Sequence, residues 1–382
     1  MDFSFSDEQT ALRDSIIKFA RAELNDGVVE RDRAEVFSRE AWRKCAEIGL
    51  QGLPVPEEYG GSGGDPLSCA IALEALGYGC TDGGLVFSLC AHLLACVVPV
   101  WKHGSSEQKH RYLKGLCDGT LIGAHAITEP ESGSDTFAMH LRATRVGNEW
   151  RLTGTKTFVS NGPVADVNVV FAVTDPEKGF YGGVTAFLIE RAVRGFSTGQ
   201  KFAKMGLRTS PVGELVFDGA QVGDDAVLGT VGGGAGVFAT AMDWERSLLV
   251  AAHLGTMERL LESSIEYARS RSQFGQAIGK YQAVGHKIAD MKVRLEAARL
   301  LTYRTASRLG KSRSISLDSS ITKLFVSESL VETARDAVQL HGGNGFMVEY
   351  EVERAFRDAV GGTIYSGTSE MQRNIIARWL GL

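Results

Sequence analysis

The spacing of apolar residues changes twice along this chain, and that change limits the architectures it can adopt. From Phe5 to about Gly119 the spacing is helical. Leu12, Ile16, Ile17 and Phe19-Ala20 make one stripe, and Ser6 followed by Glu8-Gln9 is a cap for it. Glu57-Glu58-Tyr59-Gly60-Gly61-Ser62-Gly63-Gly64 is a glycine-rich break between helices. From about Thr120 to Gly229 the runs become short, β-branched and aromatic: Trp150-Arg151-Leu152, Val167 to Val173 and Val184 to Ile189, separated by Gly, Pro, Asn and Asp. This stretch predicts an antiparallel sheet or barrel. From about Gly236 helical spacing returns in longer segments, Phe238 to Ser270, Tyr281 to Leu309 and Leu317 to Leu340, each as long as a bundle helix. Helices, then strands, then long helices is not the strand–helix alternation of a dinucleotide-binding sheet. No GxGxxG follows a predicted strand either.

At 382 residues the chain is too long for one small core and divides into two or three units. A net charge of −5, with no Lys/Arg cluster of five or more, gives no reason to expect nucleic acid as a partner. Met1-Asp2-Phe3-Ser4-Phe5-Ser6-Asp7-Glu8 has neither the basic start nor the apolar core of a leader. The most apolar run, Leu85 to Trp101, is broken by Ser88, His92 and Pro99 and falls short of the ~20 residues of a membrane helix. It is expected to be a buried core helix, with no membrane partner. Cys45, Cys69, Cys80, Cys90, Cys96 and Cys117 form no CxxC pair and sit among apolar neighbours. Reduced core thiols in a cytoplasmic protein follow, with no metal site.

Five segments carry chemical interest. Ala126 to Asp135 gathers hydroxyls and glycine-permitted N–H groups in one loop, suited to a heterocycle edge or phosphate, or simply a polar loop with an Asx cap. In Lys156-Thr157-Phe158-Val159-Ser160-Asn161-Gly162, strand alternation puts Phe158 and Ser160 on one face. They suit a flat ring with a polar edge, or else a core Phe and a turn. Arg269 to Gly275, with Tyr281-Gln282 following, places a guanidinium just past a helix, as a pyrophosphate requires. Gln339 to Phe346 has three glycines in four positions after a helix, more than a C-cap needs. In Ile364 to Gln372, Thr368 or Ser369 caps a last helix running to Trp379. Gly232 to Gly236 lacks the Lys-Ser/Thr of a P-loop and reads as a loop into a helix.

Each segment is weak alone. In this order and register they resemble the acyl-CoA dehydrogenase family over essentially the whole chain. The matching motifs are Thr-Glu-Pro-x-x-Gly-Ser-Asp at 128–135, Arg271-x-x-Phe274-Gly275, Gln339-x-x-Gly342-Gly343 and Gly367-Thr368-x-Glu370. The resemblance implies an α+β multi-domain fold: an N-terminal helical domain (1–119), a middle β-barrel-like domain (120–230) and a C-terminal four-helix bundle (231–382). It implies FAD as cofactor. Ile127, Thr128, Phe158 and Ser160 would surround the isoalloxazine. Gly133 and Ser134 would lie near the pyrophosphate and substrate entrance. Arg271, Phe274, Gln282, Gln339, Gly342 and Gly343 would reach the cofactor of a neighbouring subunit, and Thr368 and Glu370 the near one. A homotetramer, built as a dimer of dimers, and an electron acceptor such as electron-transfer flavoprotein come with the family.

α,β-Dehydrogenation of an acyl thioester needs a positioned carboxylate to remove a weakly acidic α-proton. Most relatives carry that glutamate in a final Tyr-Glu-Gly-Thr motif, where this chain has Tyr365-Ser366-Gly367-Thr368. A serine hydroxyl is too weak a base on its own. In isovaleryl-type members the base comes from an earlier helix in a Glu-Arg pair, which Glu245-Arg246 matches. Glu245 is therefore the expected base, or else a solvated helix carboxylate beside an Arg. Asp243, Arg246, Ser134, Ser366 and Gly367 are expected to contact substrate. His92 and His341 are expected to be structural. Phe87 to Leu93, Ala165 to Val167, Met242 to Arg246 and Ser366 to Arg378 are similar to L-prolyl-carrier-protein dehydrogenases, whereas Lys204 to Ser210 follows the general acyl-CoA pattern. The expected substrate is a short, branched or aminoacyl thioester on CoA or on an acyl or peptidyl carrier protein. A flavin oxidase or monooxygenase, and a non-catalytic scaffold, are the competing readings.

Overall fold

The computed structural model of the chain describes residues 4–312 and 314–382; Met1 to Phe3, inspected above for a leader, lie outside them. Ser6 opens helix α1 (Asp7–Glu23) through a capping box with Gln9. Six more helices follow: α2 (Val28–Ala34), α3 (Arg39–Glu47), α4 (Pro66–Gly79), α5 (Gly83–His92), α6 (Val98–His103) and α7 (Ser106–Cys117). Asp65 and Asp82 start α4 and α5 by accepting the Ser68 and Leu85 N–H groups.

A π-helical turn, Leu93–Val97, joins α5 to α6, so Gly83–His103 is one helix of 21 residues. It is longer than the Leu85–Trp101 run because Gly83-Gly84 and Lys102-His103 continue it. By length and composition it could cross a membrane, but 83% of its apolar window is buried inside the protein, as a core helix requires. All six cysteines are buried and unpaired.

The middle of the chain forms one eight-stranded sheet: β1 (Gly123–Ala126), β2 (Arg142–Val146), β3 (Glu149–Ser160), β4 (Val167–Val173), then α8 (Phe180–Gly183), β5 (Val184–Glu190), β6 (Phe196–Lys201), β7 (Val212–Gly223) and β8 (Val227–Leu228). Its order is β6-β7-β3-β2-β4-β5-β8, with β1 against β4. Most pairs are antiparallel, as the short alternating runs predict. The sheet is nevertheless mixed: β1 runs parallel to β4, from Gly123↔Val167 to Ala126↔Val170, and β2 meets β4 parallel at Arg142↔Val173. Parallel neighbours are joined by long crossovers and leave no hairpin signature for sequence spacing to reveal.

The C-terminal unit holds α9 (Gly234–Ser270), a small hairpin of β9 (Ser272–Gln273) and β10 (Gln276–Ala277), α10 (Gln282–Arg308), α11 (Ser316–His341), α12 (Glu351–Gly361) and α13 (Ser369–Trp379). The Gly232 to Gly236 run thus enters the first turn of α9. Leu254, Met257, Leu260, Met291, Leu295 and Val326 make the bundle's core.

Helix α9 crosses α4 at close range. A Cβ on Gly77 would lie 2.0 Å from the Ala252 carbonyl oxygen, and one on Gly255 would lie 2.1 Å from that of Glu74. Beside the crossing, buried Glu74 accepts from the Arg299 guanidinium at 2.7 Å and from the Tyr303 hydroxyl. The crossing holds α9, the helix that carries Glu245, against the N-terminal unit, and the Glu74 bonds tie α10 to the same helix α4. Gly77→Ala forces two backbones apart and is expected to destabilise the protein by about 2–3 kcal/mol. A lowered urea midpoint against the unsubstituted protein checks it, and an unchanged midpoint would mean the crossing yields freely.

Candidate active site

Glu245 sits three turns into α9 and is only 8% exposed. The Ser366 hydroxyl donates to its Oε1 at 2.8 Å. It takes part in no ion pair among the described residues. Burial pushes its pKa up, while the Ser366 bond and the nearby Arg246 and Lys323 charges pull it back down. It is therefore not a solvated helix carboxylate. Asp243, two residues earlier and half-buried, is raised by burial to about 6 against the pull of Arg246.

The turn that faces Glu245 is unusual. Ser366 has φ 57° and Gly367 φ 90°, both left-handed, a conformation that a non-glycine residue adopts at a cost. Four side-chain bonds hold it. Arg246 Nε donates to the Ser366 carbonyl at 2.9 Å, and Lys323 Nζ to the Gly367 carbonyl at 2.7 Å. Gln372 Nε2 reaches both carbonyls, at 3.2 and 2.9 Å. A Cβ on Gly367 would lie 2.8 Å from Gln372 Nε2. Lys323 is buried on α11, and burial followed by Arg246 repulsion lowers it to about 8. Of the two expected caps for α13, Thr368 is the one used, accepting the Met371 N–H at 3.3 Å. Glu370 stands exposed in the next turn.

Leu249, one turn after Glu245 on α9, and Tyr365, next to Ser366, line a cavity of about 580 Å³, counting its mouth, together with Phe87 and Cys90 of α5, His253 of α9 and Ala359 of α12; Glu245 and Ser366 themselves are not in its wall. Phe87 packs its ring 4.6 Å from that of Tyr365, whose hydroxyl shares a 2.8 Å hydrogen bond with His253 Nε2. Burial lowers His253 to about 3, so it stays neutral.

The sheet side meets the same helix. Asn161 Nδ2 donates to the Ser88 carbonyl at 2.9 Å, so the end of β3 docks on α5 one turn from Phe87 and Cys90. The 127–135 loop runs beside β3, with Thr157 N–H donating to the Thr128 carbonyl at 2.9 Å. Under it lies a buried ion pair: Lys156 Nζ is 2.7 Å from Glu129 Oε1 and 2.9 Å from the Ile127 carbonyl. Leu141 N–H donates to the same Glu129 oxygen at 2.9 Å. Ile127, Thr128, Phe158 and Ser160 are thus brought together, with Gly133 and Ser134 in the same loop.

The geometric reason given for Phe158 does not hold. The β3–β7 register shifts between Lys156 and Val159, and Phe158 has φ 53°. The bulge breaks the alternation that would place Phe158 and Ser160 on one face. It leaves the Phe158 ring 64% exposed at the rim of the loop.

Arg271, Phe274, Gln282, Gln339, Gly342 and Gly343 gather elsewhere, around the C-terminal end of α9. Tyr267 ties them: its ring stacks 4.3 Å from His341, and its hydroxyl donates to the His341 carbonyl at 3.2 Å. Phe274, at φ 51°, is 95% exposed. Added Cβ atoms on Gly342 and Gly343 would meet nothing within 4 Å. Arg271 caps a helix on which it follows Glu245 by 26 positions, about 39 Å at ~1.5 Å per residue. The two groups of residues are therefore well separated in one chain. His92 is structural: its Nε2 bonds the Leu116 carbonyl at 2.9 Å and its Nδ1 accepts the Gly123 N–H at 2.8 Å. His341, bonded to the Ala337 carbonyl at 2.7 Å, is structural too.

Sequence reasoning passed over Lys323, Gln372, Tyr365 and the Glu129–Lys156 pair. A lysine on the apolar face of a bundle helix, between Thr322 and Val326, was the available signal for Lys323.

The chain matches known proteins over essentially its whole length. Residues 6–120, 124–220 and 232–381 match the models for the N-terminal, middle and C-terminal domains of acyl-CoA dehydrogenase. The L-prolyl-(peptidyl-carrier protein) dehydrogenase of Pseudomonas fluorescens is 43% identical over 383 residues, covering 100% of both chains. A solved structure described as the prolyl acyl carrier protein oxidase AnaB superposes with a TM-score of 0.97 at 43% identity, over 99% of this chain and 100% of that one. The FAD complex of PigA gives 0.97 at 40%, covering 100% of both chains.

Proposed function

The chain belongs to the acyl-CoA dehydrogenase family, and from that premise we propose that Glu245 is the base with which it desaturates a small acyl thioester. The observation that carries this is the buried Glu245 carboxylate held by Ser366 at 2.8 Å, one helical turn before Leu249 in the wall of a mostly apolar cavity. A carboxylate removed from water is a stronger base than one on the surface.

FAD is the cofactor, and the residues present fit it. An aromatic ring exposed at Phe158, with hydroxyl residues Thr128 and Ser160 in the adjoining loop and strand, suits a flat heterocycle with polar edges. Ile127, Gly133, Ser134, Thr368 and Glu370 complete the near half. The open cradle of Gly342 and Gly343, with Arg271, Phe274, Gln282 and Gln339, suits a pyrophosphate and its nucleoside. These two groups lie too far apart for one chain to close around one cofactor, which supports a homo-oligomer, in this family a tetramer. Bound FAD supplies the acceptor for the β-hydride. The protein's part is to seat the acyl group against Leu249, Phe87 and Tyr365, exclude water, and take the α-proton on a Glu245 oxygen. Asp243, Arg246, Ser134, Ser366 and Gly367 line the approach.

The tether is CoA or a carrier protein, and the prolyl-carrier relatives favour an aminoacyl or short branched group on a phosphopantetheine arm. Electrons pass to an acceptor protein such as electron-transfer flavoprotein. The description of AnaB as an oxidase keeps oxygen as a second acceptor to be measured.

The test is anaerobic bleaching of the bound flavin by a panel: L-prolyl-peptidyl carrier protein, isovaleryl-CoA and butyryl-CoA. At least one small acyl thioester is expected to bleach it within seconds. Failure of every thioester would sink the proposal. Oxygen uptake with stoichiometric peroxide and no acceptor protein would instead identify an oxidase.

A further inference from the structure

We propose that Ser366 is a positioning residue for the base, and that Lys323, Arg246 and Gln372 exist at this site to hold Ser366 in place. The proposal rests on Glu245 being the base and adds how that base is set. Among the described residues the Ser366 hydroxyl has a single use, its 2.8 Å bond to Glu245 Oε1. Delivering it requires Ser366 at φ 57°, a left-handed conformation in which a non-glycine residue is strained. If only the turn mattered, glycine would be the better residue. The turn is instead clamped from two helices and from α13: by Arg246 at 2.9 Å, Lys323 at 2.7 Å and Gln372 at 3.2 and 2.9 Å. All these bonds go to main-chain carbonyls, so they fix the backbone and leave the hydroxyl free to point at Glu245.

A hydroxyl donor does two things for a carboxylate base. It fixes which oxygen is occupied: among the described residues Oε1 is the oxygen that takes the hydroxyl, which leaves Oε2 to receive the substrate proton. It also favours the charged form. The other titratable or charged groups around Glu245 are Cys90 on α5, Asp243 and Arg246 on α9, Lys323 on α11 and Tyr365 in the turn. Burial and the charge of Glu245 drive Cys90 up to about 12, and burial drives Tyr365 well above its ordinary value, so both stay neutral at working pH. Lys323, lowered to about 8, and Asp243, raised to about 6, are the two whose titration falls near neutrality, and Ser366 is a direct cause of neither shift.

The experiment compares Ser366→Ala and Ser366→Gly holoenzymes with the unsubstituted protein. Flavin reduction is followed across pH with L-prolyl-peptidyl carrier protein and isovaleryl-CoA. In parallel, the protonated Glu245 carboxyl band is titrated by infrared spectroscopy without substrate, assigned by its absence in Glu245→Gln. Both Ser366 variants are expected to reduce flavin, with the acid limb and the infrared midpoint moved up by about 1 pH unit, the equivalent of one hydrogen bond to a charged group. Glycine suits φ 57° and alanine does not, so an equal shift in both isolates the hydroxyl from backbone strain. Profiles that overlay the unsubstituted protein overturn the proposal. So does loss of reduction at every pH in both variants, since a positioning hydroxyl is dispensable once the base is ionised. An infrared shift without any reduction by the unsubstituted protein would fail the reading of function and leave the positioning role standing.

Discussion

Glu245→Gln is expected to retain FAD, keep its fold, and reduce flavin with thioester about 10³–10⁴-fold more slowly than the unsubstituted protein, the upper range for loss of a general base. Glutamine has the same length and can still accept the Ser366 hydroxyl, so geometry is preserved while basicity is lost. Stability should move the other way. Burial is the leading cause of the raised Glu245 pKa, which means the fold disfavours its charged form. A raised carboxyl binds its proton more tightly in the folded state, so this group's contribution to stability grows as pH falls and is smallest at neutral pH. A neutral amide removes that cost, and the urea midpoint of Glu245→Gln should equal or exceed that of the unsubstituted protein. Activity lost while stability is gained is the signature of a group kept for chemistry. The same shift fixes the sign of the pH–rate profile: reduction fails on the acid side, at a pH above that of an ordinary carboxylate. A variant that still bleaches at near-normal rate would show that the proton leaves to another group. Asp243, also raised by burial and two residues away, would be examined next.

What could be read in the sequence, and what could not, divides along physical lines. Helix existence and caps were legible because they are local. Ser6 with Gln9 closes its box, and the three long C-terminal helices begin and end within a few residues of their periodic runs. The parallel pairing of β1 with β4 was not legible, since nothing near Gly123 in sequence encodes a partner at Val167. Phe158 is the instructive case. Its exposure suits the edge of a ring site, but strand alternation is not what puts it there. Strand alternation assumes an unbroken ladder, and the bulge at 156–159 turns the ring outward instead. The Glu245–Ser366 contact spans 121 positions and no periodicity implies it. What sequence offered was an anomaly of composition, a serine where the motif has a carboxylate. The structure shows that the serine's hydroxyl is aimed at the carboxylate on α9.

Removing the buried pair beneath the 127–135 loop should cost more stability than any other single change considered. Glu129→Ala leaves the Lys156 ammonium, itself fully buried, with only the Ile127 carbonyl, and orphans the His140 and Leu141 N–H groups. A broken buried pair costs about 3–5 kcal/mol. The loop that presents Ile127, Thr128 and Ser134 hangs on this contact, so FAD should be lost on gel filtration as well. The two partners do not shift alike. Burial works against Glu129, but Lys156 and two backbone N–H groups outweigh it and hold its carboxyl below the ordinary range. Burial of Lys156 outweighs the attraction of Glu129 and lowers it to about 8. At neutral pH both are charged. Because Glu129 is depressed, its stabilisation is full above the unfolded carboxyl value and disappears as pH falls through the folded one, so the loop should loosen on the acid side. Lys156, depressed below its unfolded value, instead disfavours the fold in full below about pH 8, a cost that begins to lift there and is gone only above the ordinary lysine value of 10.5. The deciding measurement is a double-mutant cycle in urea with Glu129→Leu, Lys156→Met and the double variant. The double variant should recover about 2–3 kcal/mol over the sum of the singles, because no unpaired charge remains. It should still fall short of the unsubstituted protein by the roughly 1–3 kcal/mol of each N–H left without an acceptor. Strict additivity would mean that Glu129 and Lys156 stabilise the loop separately, and that the ion pair is not what holds it.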